Sequence, residues 1–139
     1  MYRLSFRFLS NPQYLALLKE GAVNTVIITF FCLIFGFMIG LVIALFRQSR
    51  NQVLRFFGAF WVDFLRNTPF LVQLFFFYYG LPQLGIDTNP LVTSIIALSI
   101  NVSAGNCEVI RAGLMAVKKS YYECAAALGF GPLQTIRYV

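Results

Sequence analysis

Ser94, Ser99, Asn101, Ser103, Asn106 and Glu108 interrupt an otherwise apolar stretch, "PLVTSIIALSINVSAGNCEVIRAGL", from Pro90 to Leu114. Hydroxyls, amides and one carboxylate can bind and orient a molecule, but they include no nucleophile with an adjacent base. The chain has no histidine and only five carboxylates, so neither a Ser-His-Asp nor a Cys-His site can be assembled from it. Cys32, Cys107 and Cys124 stand singly, without CxxC or Cys/His spacing, as small packing residues do. These absences predict a non-enzyme with no metal and no resident cofactor. Non-covalent recognition remains. At about 100° per residue, Ser99, Ser103 and Asn106 fall on one helix face, with Asn101 and Glu108 roughly opposite. At membrane depth each of these groups needs a protein partner or water. Helix-to-helix hydrogen bonding and a hydrated path both meet that need; Asn101, Ser103, Asn106 and Glu108 are the path candidates.

The elements that must position them are membrane helices. A composition of 59% hydrophobic and only 12% charged residues excludes a soluble globular domain. Gly21 to Phe46, Asn67 to Ile86 and Thr88 to Cys107 carry no charge at all, and a helix needs about 20 such residues to cross the hydrocarbon. The expectation is an all-α, multi-pass membrane protein with about three spans, near 21–47, 55–82 and 90–113, and a cytoplasmic segment from 114 to 139. Residues 1–20 are expected to form an external or interfacial segment, with a short helix from Pro12 carrying Tyr14, Leu15, Leu17 and Leu18. Arg3 and Arg7 precede no compact apolar stretch with a small-residue cleavage site, so no removable signal peptide is expected.

Charge sets orientation. Arg47, Arg50 and Arg55 follow the first span, and Arg111, Lys118, Lys119 and Arg137 accompany the end of the third, whereas "GLPQLGIDTNP" has no basic residue. That asymmetry places 47–55 inside and 80–89 outside. Arg3, Arg7 and Lys19 count mildly against this placement, and no nucleic-acid partner is expected. Gly36 and Gly40 form a GxxxG pair that lets another helix approach. Thr68 and Pro69 are expected to kink or divide the second span, and Asp63 and Arg66, at i and i+3, to form an ion pair.

"SYYECAAALGFGP", residues 120–132, is small, Ala-rich and broken by glycine. Ser120 followed by Glu123 reads as a capping box at the start of a short helix. Gly129 then supplies a left-handed stop, and Gly131-Pro132 a restart. Ala125, Ala126 and Ala127 would offer a low-relief face. A docking surface and an unpartnered interfacial helix are equally compatible with these local features.

"SYYECAAALGF" resembles the EAA loop of ABC-transporter permeases. The preceding "EVIRAGLMAVKK" is similar to the Glu-x-x-Arg-x-Gly-Ile segment of the polar amino-acid uptake branch, and "FLRNTPFLVQLFFFYYGLP" to its Arg-x-Thr-Pro-Leu-Leu-Val-Gln block. The similarity runs from about Leu17 to Val139. It implies a permease subunit of an amino-acid importer in the bacterial inner membrane. Glu123, Ala125 and Gly129 would belong to a coupling helix seated in a separate cytoplasmic ATPase. A second permease copy or paralogue and an external solute-binding protein are implied too. ATP would be bound by the ATPase, since no Gly-x4-Gly-Lys-Ser/Thr stretch occurs in this chain. Cys124 replaces the first alanine of the family triplet, Lys118 and Ser120 replace a proline and a glycine, and Gly105 and Asn106 replace bulky residues. Family members continue through two more spans of a five-span core, so the chain reads as truncated within or just after the EAA loop. A non-transporting remnant or membrane scaffold is the alternative.

Overall fold

A computed structural model describes residues 12–138, which are helical apart from short connections. α1 runs from Pro12 to Gln48, α2 from Gln52 to Asn67, α3 from Phe70 to Gln83, α4 from Pro90 to Ala116, α5 from Lys119 to Ala127 and α6 from Pro132 to Tyr138. By length and composition, α1 with 37 residues and α4 with 27 can each cross a membrane. The short interfacial helix expected from Pro12 and the span expected from Gly21 are one continuous α1. No breaker separates them: Gly21 alone cannot end a helix within so apolar a run.

The second expected span, 55–82, is divided. α2 has 16 residues and α3 has 14, each too short to cross alone. Proline has no N–H for the helical ladder and disfavours helical backbone in the residue before it. Thr68 accordingly adopts φ −104°, ψ 125°, while its hydroxyl donates to the Phe64 carbonyl at 2.8 Å. Asparagines start the flanking helices. The Asn51 side chain accepts from Val53 N at 2.9 Å, and that of Asn89 from Val92 N at 2.8 Å ahead of Pro90.

α1 and α4 make the most extensive contact in the fold, and α2 crosses both. Ile43 and Ala44 of α1, Val62 and Leu65 of α2, and Ala104 and Cys107 of α4 form the buried cluster at this crossing. Small residues set the spacing. A Cβ built on Gly40 would lie 2.7 Å from Asn106 Cβ and 2.9 Å from the Ser103 carbonyl, and one on Gly58 would lie 2.8 Å from Arg47 Cγ. The Gly36/Gly40 pair is therefore spent on α4. Away from this seam α1 turns large apolar side chains outward, Phe30, Leu33, Phe37 and Met38 among them. Such a surface suits lipid.

Candidate functional site

Pro69 lacks an N–H, so the Leu65 carbonyl loses its normal i+4 donor. Gln73, only 5% exposed, compensates: its Nε2 donates to the Leu65 and Thr68 carbonyls, both at 2.9 Å. The other end of the same amide, Oε1, accepts from Asn101 Nδ2 at 3.2 Å. One buried side chain thus ties both sides of the break to α4.

Beside this junction lies an open groove of about 710 Å³, walled by Arg66, Thr68, Pro69, Asn101, Gly105 and Asn106 together with apolar side chains. Two of the four path candidates, Asn101 and Asn106, share it. The other two do not. Ser103 is fully buried, accepting from Trp61 Nε1 at 3.1 Å and donating to the Ile100 carbonyl at 2.6 Å. The Trp61 bond is helix-to-helix packing of a polar group, the alternative its sequence had left open, and the Ile100 bond lies within α4.

Glu108 is the centre of an ion cluster. Its Oε1 meets Arg47 Nη1 at 2.5 Å and Arg66 Nη1 at 3.9 Å, while Oε2 takes Arg111 Nε and Nη2, both at 3.2 Å. One carboxylate therefore joins the end of α1, the end of α2 and the last turns of α4. Arg66 approaches this carboxylate loosely, at 3.9 Å with its side chain 62% exposed, and among the described residues no Asp63–Arg66 pair forms. Asp63 lies on the exposed side of α2, and the geometry favours the carboxylate that already gathers Arg47 and Arg111.

α5 and α6 form a hairpin. The N-cap is not Ser120. α5 begins at Lys119 with Lys118 at the N-cap and no side-chain cap bond, so Ser120 lies inside the first turn and cannot cap it. The stop is as expected. Gly129 has φ +76°, and the N–H groups of Gly129 and Phe130 bond the Ala126 and Ala125 carbonyls, both at 3.0 Å, in a Schellman motif. Pro132 opens α6, where Gln134 Oε1 accepts from Gly131 N at 2.9 Å. Glu123 is exposed on α5, whereas Ala125 is buried at 3% exposure, so Ala125 does not belong to an exposed docking face. Among the cysteines, Cys32 and Cys107 pack as small buried residues and Cys124 is exposed.

Arg47, Trp61 and Gln73 organise this region without having been singled out for it from sequence. Gln73 stands in the quoted "NTPFLVQ" block, four residues after the proline whose missing N–H it offsets, and that spacing was the available signal.

Two helices long and apolar enough to cross a membrane, packed with a broken helix pair through a polar groove and a three-arginine hub, define an all-helical bundle of membrane-protein type. The chain belongs to the binding-protein-dependent transport system inner membrane component family, which it matches over residues 22–139. It is 35% identical over 118 residues to the probable amino-acid ABC transporter permease protein YckA of Bacillus subtilis, covering 85% of this chain and 52% of that one. It is 33% identical over 128 residues to the L-cystine transport system permease protein TcyB of the same organism, covering 92% and 55%. With a putative glutamine transport system permease protein GlnP of Rickettsia bellii it shares 38% over 119 residues, covering 85% and 54%. A solved structure described as an amino acid ABC transporter with histidines superposes with a TM-score of 0.81 at 35% identity, over 98% of this chain and 64% of that one. These relatives are transport permeases, not enzymes, and the chain spans about half the length of the permeases it matches.

Proposed function

We propose that this chain supplies the membrane portion of an ATP-driven amino-acid importer and, with α1, the α2–α3 pair and α4, walls one side of its translocation path. The observation that carries this reading is the groove beside the Thr68–Pro69 break, where Arg66, Asn101 and Asn106 stand together among the apolar side chains of Leu65, Phe70, Val102 and Val109. Polar groups at membrane depth are costly unless they serve a partner or a hydrated path. The shared architecture with an amino-acid ABC transporter supports the same reading.

In this reading the protein is multi-pass in the inner membrane, with residues 80–89 outside and 47–55 inside, following the placement of Arg47, Arg50 and Arg55. The α5–α6 hairpin is the coupling element. Glu123 faces the ATPase from its exposed position, while buried Ala125 packs inside the hairpin and exposed Gly129 makes its turn at φ +76°. ATP is bound by that separate subunit, an external solute-binding protein delivers the amino acid, and a second permease copy or paralogue completes the path. Reconstitution with an ATPase and a binding protein tests this. Amino-acid-stimulated ATP hydrolysis with uptake into vesicles is the expected result; assembly without stimulation or uptake would assign the chain a scaffold role.

A further inference from the structure

We propose that Gln73 is a positioning residue for substrate recognition: it orients Asn101 so that the amide oxygen of Asn101, Oδ1, is the group offered to the groove, as an acceptor for a substrate ammonium. This inference rests on the permease reading above and adds to it the residue that sets the polarity of the groove.

The direction of the relay is imposed by the backbone. The Leu65 and Thr68 carbonyls can only accept hydrogen bonds, so the end of Gln73 that lies 2.9 Å from both must be its NH₂ group. Each of the two N–H bonds serves one carbonyl. The opposite end of Gln73 is then an acceptor, and the only group Asn101 can direct to it is its own NH₂, at 3.2 Å. The break at Pro69 thereby determines which end of Asn101 is left over. That end is Oδ1, which makes no hydrogen bond among the described residues, and Asn101 is a wall residue of the groove. Arg66, a second wall residue and 62% exposed, adds a guanidinium to the same groove. An acceptor and a guanidinium together complement the ammonium and carboxylate of a zwitterion. Without Gln73, Asn101 would be free to rotate its amide and present a donor, which repels an ammonium group. Burial of Gln73 protects the relay from competition with water.

The test measures binding to the assembled permease–ATPase complex in detergent, without the solute-binding protein. The probes are L-glutamine, L-histidine and their analogues lacking the α-amino group. Gln73→Leu is expected to weaken binding of the amino acid about tenfold and leave the analogue unchanged, the size of one lost charge-assisted hydrogen bond. Asn101→Ala removes the acceptor while leaving both backbone carbonyls bonded to Gln73, and should give the same selective loss even if Gln73→Leu folds poorly. A merely structural role for Gln73 would weaken amino acid and analogue alike. Equal weakening of both probes by Asn101→Ala, or by a Gln73→Leu complex that melts at the unmodified temperature, or no weakening by either, overturns this inference alone. Failure of the unmodified complex to bind either amino acid would overturn the permease reading together with it.

Discussion

Replacing Gly40 by alanine tests the seam on which the bundle is built. The added methyl would sit 2.7 Å from Asn106 Cβ, 2.9 Å from the Ser103 carbonyl and 3.2 Å from Cys107 N. Carbon atoms pack at roughly 3.5–4.0 Å, so α1 and α4 must separate by about 1 Å at this point. Two of the three obstructing atoms are backbone and cannot rotate away. Overpacking of this kind costs about 1–3 kcal/mol, against which alanine recovers up to about 1 kcal/mol of helix propensity. Gly21→Ala is the control, because its methyl meets nothing within 4 Å, and Gly105→Ala is a second control on α4 for the same reason. The two controls gain the same propensity, so relative to them the expected loss is the overpacking cost, about 1–3 kcal/mol. Thermal unfolding of the three variants in detergent, followed by circular dichroism, reads the difference. Gly40→Ala melting no lower than the two controls would refute the close-approach argument.

In the arginine hub, disruption should follow burial. Arg47→Gln should destabilise more than Arg111→Gln, and Arg66→Gln least, because their side chains are 17%, 36% and 62% exposed; an inverted order in thermal unfolding contradicts this. Ser99→Ala should be neutral or stabilising, since the buried Ser99 hydroxyl finds no hydrogen-bond partner among the described residues, and a lower melting temperature would contradict this. Gly129→Ala forces a methyl-bearing residue to φ +76° at a cost of about 1–2 kcal/mol. It should reduce ATPase co-purification more than Gly131→Ala does; equal retention would remove the hairpin from coupling. For topology, Gln83→Cys in a cysteine-free background should react with an impermeant thiol reagent from outside, and Gln52→Cys only after permeabilisation. The opposite pattern reverses the orientation.

Helix class, the break at Pro69 and the stop at Gly129 were legible in the residues because each depends on local chemistry. Apolar length sets a membrane helix, a missing N–H divides one, and φ > 0 selects glycine. Local signals failed where two of them competed. Pro12 is as good a first-turn residue for a long helix as for a short one, so α1 absorbed the segment expected to be separate. Ser120 could not cap a helix that had already begun at Lys119.

Partnerships were decided by the fold. Periodicity placed Ser103 and Asn106 on one face and Asn101 and Glu108 on another, but it carried no information about what each face would meet. The crossing of α2 sealed Ser103 beneath Trp61 and brought Arg66 to Glu108 rather than to Asp63. The same crossing left Asn101 and Asn106 in one groove. Gln73, inside an apolar run, became the bridge from the break to α4. Such contacts join residues far apart in sequence, and their energies depend on which polar groups share a buried space, a quantity that exists only after the helices have packed.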